Sequence, residues 1–193
     1  MLFRSRELAL HVLDVIQNSL RAGAKLIEVE IVEDTALDSL VITIEDDGCG
    51  MDKTLVRKVL DPFTTTRTTR KVGLGIPLLK MAVERSAGNL SISSEPGKGT
   101  VVTARFQHSH IDRMPLGDMA STMLTVIVSN PAVDVVYRHR VNDRIWEVDT
   151  RTIKAEVGEE ALTLPVVMQW LRSYLEQGNS YLHGGALADE IFG

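Results

Sequence analysis

Two short runs of strict alternation, residues 25–33 and 39–45, constrain this chain more than any other feature. Ile27, Val29 and Ile31 occupy every second position of the first run, and Leu40, Ile42 and Ile44 every second position of the other. A period of two puts such side chains on one face of a strand. The residues between them, 34–38, start and end on Asp and read as a hairpin loop. A different period precedes them. Leu8, Val12, Val15, Ile16 and Leu20 recur at helical spacing over residues 6–21, and Gly23 ends the pattern.

The same reading predicts a short helix over 53–60, a helix over 74–86, and a β-hairpin from 90–94 and 100–106 turning through Glu95-Pro96-Gly97-Lys98-Gly99. Residues 64–70, rich in Thr and Arg, read as a mobile loop. The pattern breaks at 108–115, where a domain boundary is expected. Beyond it come a helix over 117–128, a hairpin with arms 133–141 and 144–148, a helix starting near Thr150, and another over 165–177 with Pro165 in its first turn. Trp146, Trp170, Tyr137 and Tyr174 read as core or interface residues of this half. The tail after about Gly178 reads as flexible.

Charge excludes one class of partner. The chain has 21 Lys+Arg against 26 Asp+Glu, a net charge of −5. Residues 1–107 carry 14 of each sign and residues 108–193 carry 7 basic and 12 acidic, so the second half holds the whole excess. Nucleic-acid surfaces need basic patches, so no nucleic acid is expected, and the acidic half points to a protein partner. The lone cysteine, Cys49, fits a reducing compartment. No apolar run is long enough to span a bilayer. The first residues lead straight into the helical pattern without a signal peptide. A cytoplasmic location with no membrane contact is the expectation.

Four pieces carry chemistry. On the first helix, Asp14, Asn18 and Arg21 fall at i, i+4 and i+7, one polar stripe; alone it reads as a solvated face. The second is Asp46-Asp47-Gly48-Cys49-Gly50-Met51, directly after a strand. Its glycines allow a sharp turn and close approach to a ligand, and its carboxylate can accept a hydrogen bond from an amino group; the alternative is an acidic turn. Gly73-Leu74-Gly75-Ile76 opens a helix and can offer N–H groups to a phosphate, beside Arg67, Arg70 and Lys71; the alternative is a strain-free join. The fourth, Glu95-Pro96-Gly97-Lys98-Gly99-Thr100, is by itself a hairpin turn.

In order and spacing, these four pieces resemble the motifs of the ATPase superfamily that unites gyrase, heat-shock chaperones, histidine kinases and MutL. The segment ending Asn18-Ser19-Leu20-Arg21-Ala22-Gly23-Ala24 is most similar to MutL, and the two later glycine boxes to histidine kinases. The resemblance covers about residues 6–107. It implies an α+β fold: a two-layer α/β sandwich of the Bergerat type, a mixed sheet with helices on one face. This would occupy residues 1–110, with a small α+β domain over 111–193. It implies ATP and Mg²⁺ as ligands. Asn18 would bind Mg²⁺, and Asp46 would receive the adenine amino group. Gly48, Gly50 and Met51 would shape the adenine pocket, with Thr100 supporting it. Gly73, Leu74, Gly75 and Ile76 would face the phosphates, and Arg67, Arg70 and Lys71 are lid candidates for the γ-phosphate.

Asp14 stands where the hydrolysing members carry a Glu that orients or deprotonates the attacking water. The charge is kept on a side chain one methylene shorter, and slow turnover is expected. The longer lid segment of MutL is not found. Only about five residues precede the first helix, so a phosphoacceptor helix of the histidine-kinase kind is not expected. His11, one turn before Asp14, reads as a site-flanking or partly buried residue. His108 and His110 can be read as a metal clamp or as polar loop, and polar loop is the commoner case. The functional expectation is a Mg-ATP-binding regulatory protein that phosphorylates or switches a protein partner. The alternatives are a slow ATPase or ATP-gated clamp, which can form a homodimer, and a non-catalytic nucleotide sensor.

Overall fold

A computed structural model describes residues 7–60 and 75–185. The chain runs α1 (Leu8–Arg21), β1 (Leu26–Asp34), β2 (Ser39–Asp46), α2 (Lys53–Leu60), α3 (Gly75–Glu84), β3 (Asn89–Glu95), β4 (Gly99–Gln107), α4 (Met119–Ser129), β5 (Asp134–Val141), β6 (Arg144–Asp149), α5 (Thr150–Val157) and α6 (Pro165–Leu182), with a 3₁₀ turn at Glu160–Thr163. Six strands form one sheet in the order β3-β4-β2-β1-β5-β6. Neighbours are antiparallel except β1 and β5, which run parallel. The fold is therefore α+β with a mixed sheet.

Alternation explains the layering. Val29 pairs with Ile44 and Ile31 with Ile42 across the first hairpin. Ile44 pairs with Val102, and Ile42 with Ala104, in β4. All six are buried. This face is covered by α1, α3, α4 and α6, which bring Val12, Ile16, Leu79, Met123, Ile127 and Leu171 onto it. Burying side chains of this kind contributes about 1.5–3 kcal/mol each. No helix among the described residues is long and apolar enough to cross a membrane.

The sequence pattern splits the chain at 108–115, but the structure gives those residues a different use. The first N–H groups of a helix lack intrahelical partners. In α1, Leu8 and Ala9 donate theirs to the carbonyls of Pro115 and Leu116 at 3.0 and 2.8 Å. Asp38, in the first hairpin loop, accepts from the Ser109 N–H at 2.7 Å and from Gln107 Nε2 at 2.8 Å. The strands beyond the segment then extend the same sheet next to β1.

A second difference lies at Gly178. The tail expected to loosen there is helical through Leu182, and Gly178 is buried within α6. A Cβ at Gly178 would lie 2.3 Å from the Trp146 indole, so the glycine lets the helix pass directly over that ring. Trp146 in turn packs on Tyr174 with ring centroids 4.6 Å apart, and Tyr174 stacks on Trp170 at 5.3 Å.

Candidate functional site

Strand β2 ends on Asp46, in the phase that Leu40, Ile42 and Ile44 fill with apolar side chains. Asp46 is only 8% exposed. Each carboxylate oxygen is held once: Oδ2 accepts from Ser19 Oγ at 2.6 Å, and Oδ1 from the Gly48 N–H at 2.9 Å. An ionised carboxylate has about four acceptor positions, so capacity remains for a ligand amino group. Thr100 lies directly across from Asp46 in the sheet, and Ser94 directly across from Thr100. Ser94 Oγ accepts from the Met51 N–H at 2.8 Å and donates to the Gly99 carbonyl at 2.9 Å. That uses its only proton, so Thr100 Oγ1, 2.8 Å away, is the donor in their shared bond. Asp47 points elsewhere. Its Oδ1 accepts from the backbone N–H groups of Lys25 and Leu26 and pins the start of β1.

The glycines of the motif bring protein against protein. Gly50 (φ 65°) and Gly99 (φ 97°) hold left-handed backbone. A Cβ at Gly50 would lie 2.0 Å from the Glu95 carbonyl oxygen, and one at Gly99 1.8 Å from that of Asp46. Gly48 presses on Ala22 at the end of α1. The loop after β2, the β3–β4 turn and the end of α1 are thereby locked together around Asp46.

The other end of the site lies along α1. Asp14 and Asn18 are half-buried. Asn18 Oδ1 accepts from a guanidinium nitrogen of Arg21 at 3.1 Å. A Cβ at Gly75 would lie 2.6 Å from Asp14 Cβ, so α3 meets α1 at Asp14. Ile76 is buried beside it. Arg67, Arg70, Lys71, Gly73 and Leu74 lie outside the described residues.

Among the described residues, no group of three or more His, Cys, Asp or Glu side chains could hold a metal ion. The donor set still fits Mg²⁺, which commonly takes one or two protein oxygens and completes its shell with phosphates and water. Asn18 can give that oxygen once Arg21 yields it. Asp46 needs no such rearrangement, because it is already fixed and buried.

His11 sits one turn before Asp14 and is 2% exposed. Neither ring nitrogen has a hydrogen-bond partner among the described residues. Burial pushes the imidazole below its ordinary value, while the Asp14 charge pulls it back up. Buried unpaired polar atoms cost about 1–3 kcal/mol each.

At the opposite end of the same sheet face is a cluster that the sequence motifs did not reveal. Glu33 faces His108 Nε2 at 3.0 Å and His139 Nε2 at 2.9 Å, one imidazole per oxygen. The other nitrogen of His139 lies 3.2 Å from the buried Tyr137 hydroxyl. Burial alone would raise the Glu33 carboxyl, but the hydrogen bonds and charge of the two histidines overturn this and hold it at about 2. Burial, with Glu33 beside it, pushes the Tyr137 hydroxyl up, so it stays protonated. His108 and His110, which the sequence allows as a metal clamp but favours as polar loop, part company here: His110 Nδ1 accepts from the Asp112 N–H. The available signal was phase, since Glu33 follows Ile27, Val29 and Ile31 on the inward face, as Asp46 follows Ile44. An apolar recess of about 740 Å³ between α5 and α6, lined in part by Ile153, Val166 and Trp170, shares no lining residue with either polar cluster.

Comparison with known proteins adds the context. The family described as histidine kinase-, DNA gyrase B- and HSP90-like ATPase matches residues 4–110. The signal transduction histidine-protein kinase AtoS of Escherichia coli is 40% identical over 62 residues, covering 32% of this chain and 10% of that protein. The tetrathionate sensor histidine kinase TtrS of Salmonella typhimurium is 33% identical over 113 residues, covering 56% of this chain and 18% of its own. The chain thus matches a small part of either kinase. A solved N-terminal domain of a DNA repair protein superposes with a TM-score of 0.56 at 15% identity, over 84% of this chain and 58% of the other. That likeness concerns the fold alone.

Proposed function

This chain belongs to the histidine kinase-, DNA gyrase B- and HSP90-like ATPases, and on that premise we propose that it binds Mg-ATP and uses it to phosphorylate or switch a protein partner. The observation that carries the reading is Asp46: a buried carboxylate at a strand end, fixed by Ser19 and Gly48, with acceptor capacity left over. Asp46 takes the adenine amino group. Thr100 and Ser94 hold the loop that carries Met51 beside it. Asn18 would hold Mg²⁺ through its side-chain oxygen, and the bound ion would supply charge compensation for the phosphates. Gly75 and Ile76 would face the phosphates; Gly73, Leu74, Arg67, Arg70 and Lys71, outside the described residues, are assigned to the same phosphates by the sequence motif alone. Asp14 takes the proton of the attacking hydroxyl or water as the γ-phosphoryl passes to that oxygen and ADP leaves.

Asp14 also motivates a second reading. Its side chain is short and α3 packs against it at Gly75, which favours slow turnover or a nucleotide sensor with little chemistry. The acidic second half supports a protein partner over a nucleic acid, a homodimer being one form of it, in a cytoplasmic setting.

Calorimetry with Mg-ATP tests the core of the proposal. Asp46→Asn keeps the shape but turns an acceptor edge into a donor facing Ser19 or the ligand. Losing a hydrogen bond to a charged group costs about 1.5–3 kcal/mol, so affinity should fall about 10- to 150-fold. Absence of nucleotide binding by the wild type would sink the proposal. With γ-labelled ATP, label on a partner supports transfer, and free phosphate supports the slow ATPase.

A further inference from the structure

We propose that His11 is a positioning residue of the nucleotide site: a buried imidazole, with neither nitrogen bonded to Asp14 in this structure, that takes hold of the Asp14 carboxylate when the site is loaded and so orients the attacking water or hydroxyl. The inference rests on the ATP-site reading above and extends it to a residue outside the four motifs.

Placement comes first. At about 100° per residue, His11, Asp14, Asn18 and Arg21 fall within an arc of about 80° on α1. The core residues Leu8, Val12, Val15, Ile16 and Ser19 occupy the adjoining arc. His11 therefore lies where the polar stripe meets the core, a turn from Asp14, the residue at which α3 meets α1 through Gly75. Asp14 is also the charge that acts on the His11 ring.

Chemistry comes second. A core position gains nothing from imidazole over leucine or phenylalanine when its polar atoms are unpaired, and His11 leaves both nitrogens unpaired among the described residues at 2% exposure. Burial keeps the ring neutral near pH 7, so one nitrogen donates and the other accepts. A neutral donor is suited to hold a carboxylate without neutralising it. The shortened Asp14 needs such help, since a misplacement of about 1 Å can cost about a hundredfold in rate.

The test uses the full chain with His11→Phe and His11→Leu, two apolar fillings, and His11→Asn, which restores a donor. Expected for the apolar variants are an unchanged or raised Tm, Mg-ATP affinity within about twofold of wild type, and phosphate release or transfer lowered about 10- to 100-fold. His11→Asn should recover part of that loss. A second readout needs no turnover: in ¹⁵N-histidine spectra, the His11 ring resonances should shift on adding a non-hydrolysable Mg-ATP analogue, and the shift should shrink in Asp14→Ala. If the wild type binds no nucleotide, the ATP-site reading fails and takes this inference with it. If it binds, but the ring resonances stay still and the apolar variants turn over like wild type, the role of His11 alone is overturned. Apolar variants that lose Tm and activity together, with no ring shift, also overturn it, because that is what a structural residue would do.

Discussion

The Glu33 carboxylate should contribute stability that disappears in acid, and Glu33→Gln should remove it. Glu33 closes the inward face of β1, between His139 on β5 and His108 at the start of the connecting segment. It therefore ties together three parts of the chain that are far apart in sequence. Its folded-state value of about 2 stands against an ordinary 4.5. A group depressed on folding stabilises the protein above its unfolded value and loses that contribution as pH falls through the folded one. The gap corresponds to about 3 kcal/mol at neutral pH. By pH 3 the group is still mostly ionised in the folded state and mostly protonated in the unfolded chain, and about 2 kcal/mol should already be gone. The carboxyl is buried, so solvent screening takes little from this figure.

Urea unfolding of wild type and Glu33→Gln at pH 6, 5, 4 and 3 measures it. The amide brings its own cost, because its NH₂ group faces a ring nitrogen. The informative quantity is therefore how the difference between the two proteins changes with pH. That difference should shrink by about 2 kcal/mol from pH 6 to pH 3. A difference constant to within about 0.5 kcal/mol would refute the reasoning, since it would mean the histidines do not hold the ionised carboxylate.

Two further outcomes follow from contacts at the site and the segment beyond it. Arg21→Ala frees Asn18 Oδ1 and removes a cation from its side; the Mg²⁺ concentration for half-maximal ATP binding should fall about two- to fivefold, the scale of an exposed polar pair, and a rise would instead make Arg21 a phosphate ligand. Truncation after residue 110 strips β5 from β1, the Pro115 and Leu116 carbonyls from α1, and His139 from Glu33; the fragment should aggregate or melt without cooperativity, and a monodisperse fragment with a sharp melt would support a domain boundary near residue 110.

What the sequence made legible was periodic or local. Alternation located β1 and β2 to within a residue, because burial of one face demands it, and helical spacing marked the stripe that carries Asp14 and Asn18. Neighbour choice was not legible: alternation fixes which face Val135 and Tyr137 present, but not that their strand lies parallel to β1. The contacts that glycines make were not legible either. Read locally, Gly178 loosens a helix end and Gly50 allows a sharp turn; each also meets protein in a position a Cβ would fill, Trp146 for one and the Glu95 carbonyl for the other. A sequence displays the missing side chain of a glycine but not the partner that needs the space. The same asymmetry governs the two inward carboxylates. Asp46 and Glu33 each break an apolar phase, a signal visible in the sequence, and in each case the cost of burial is met by donors that no spacing rule supplies: Ser19 with the Gly48 N–H, and His108 with His139. An acidic residue in the apolar phase of a strand thus points to a polar cluster, and the two clusters differ in the partners gathered, not in the number of bonds accepted. Glu33 has an imidazole on each oxygen and joins segments. Asp46 has lighter partners, a hydroxyl and a backbone N–H, and it is the carboxylate to which the proposed ligand's amino group is assigned.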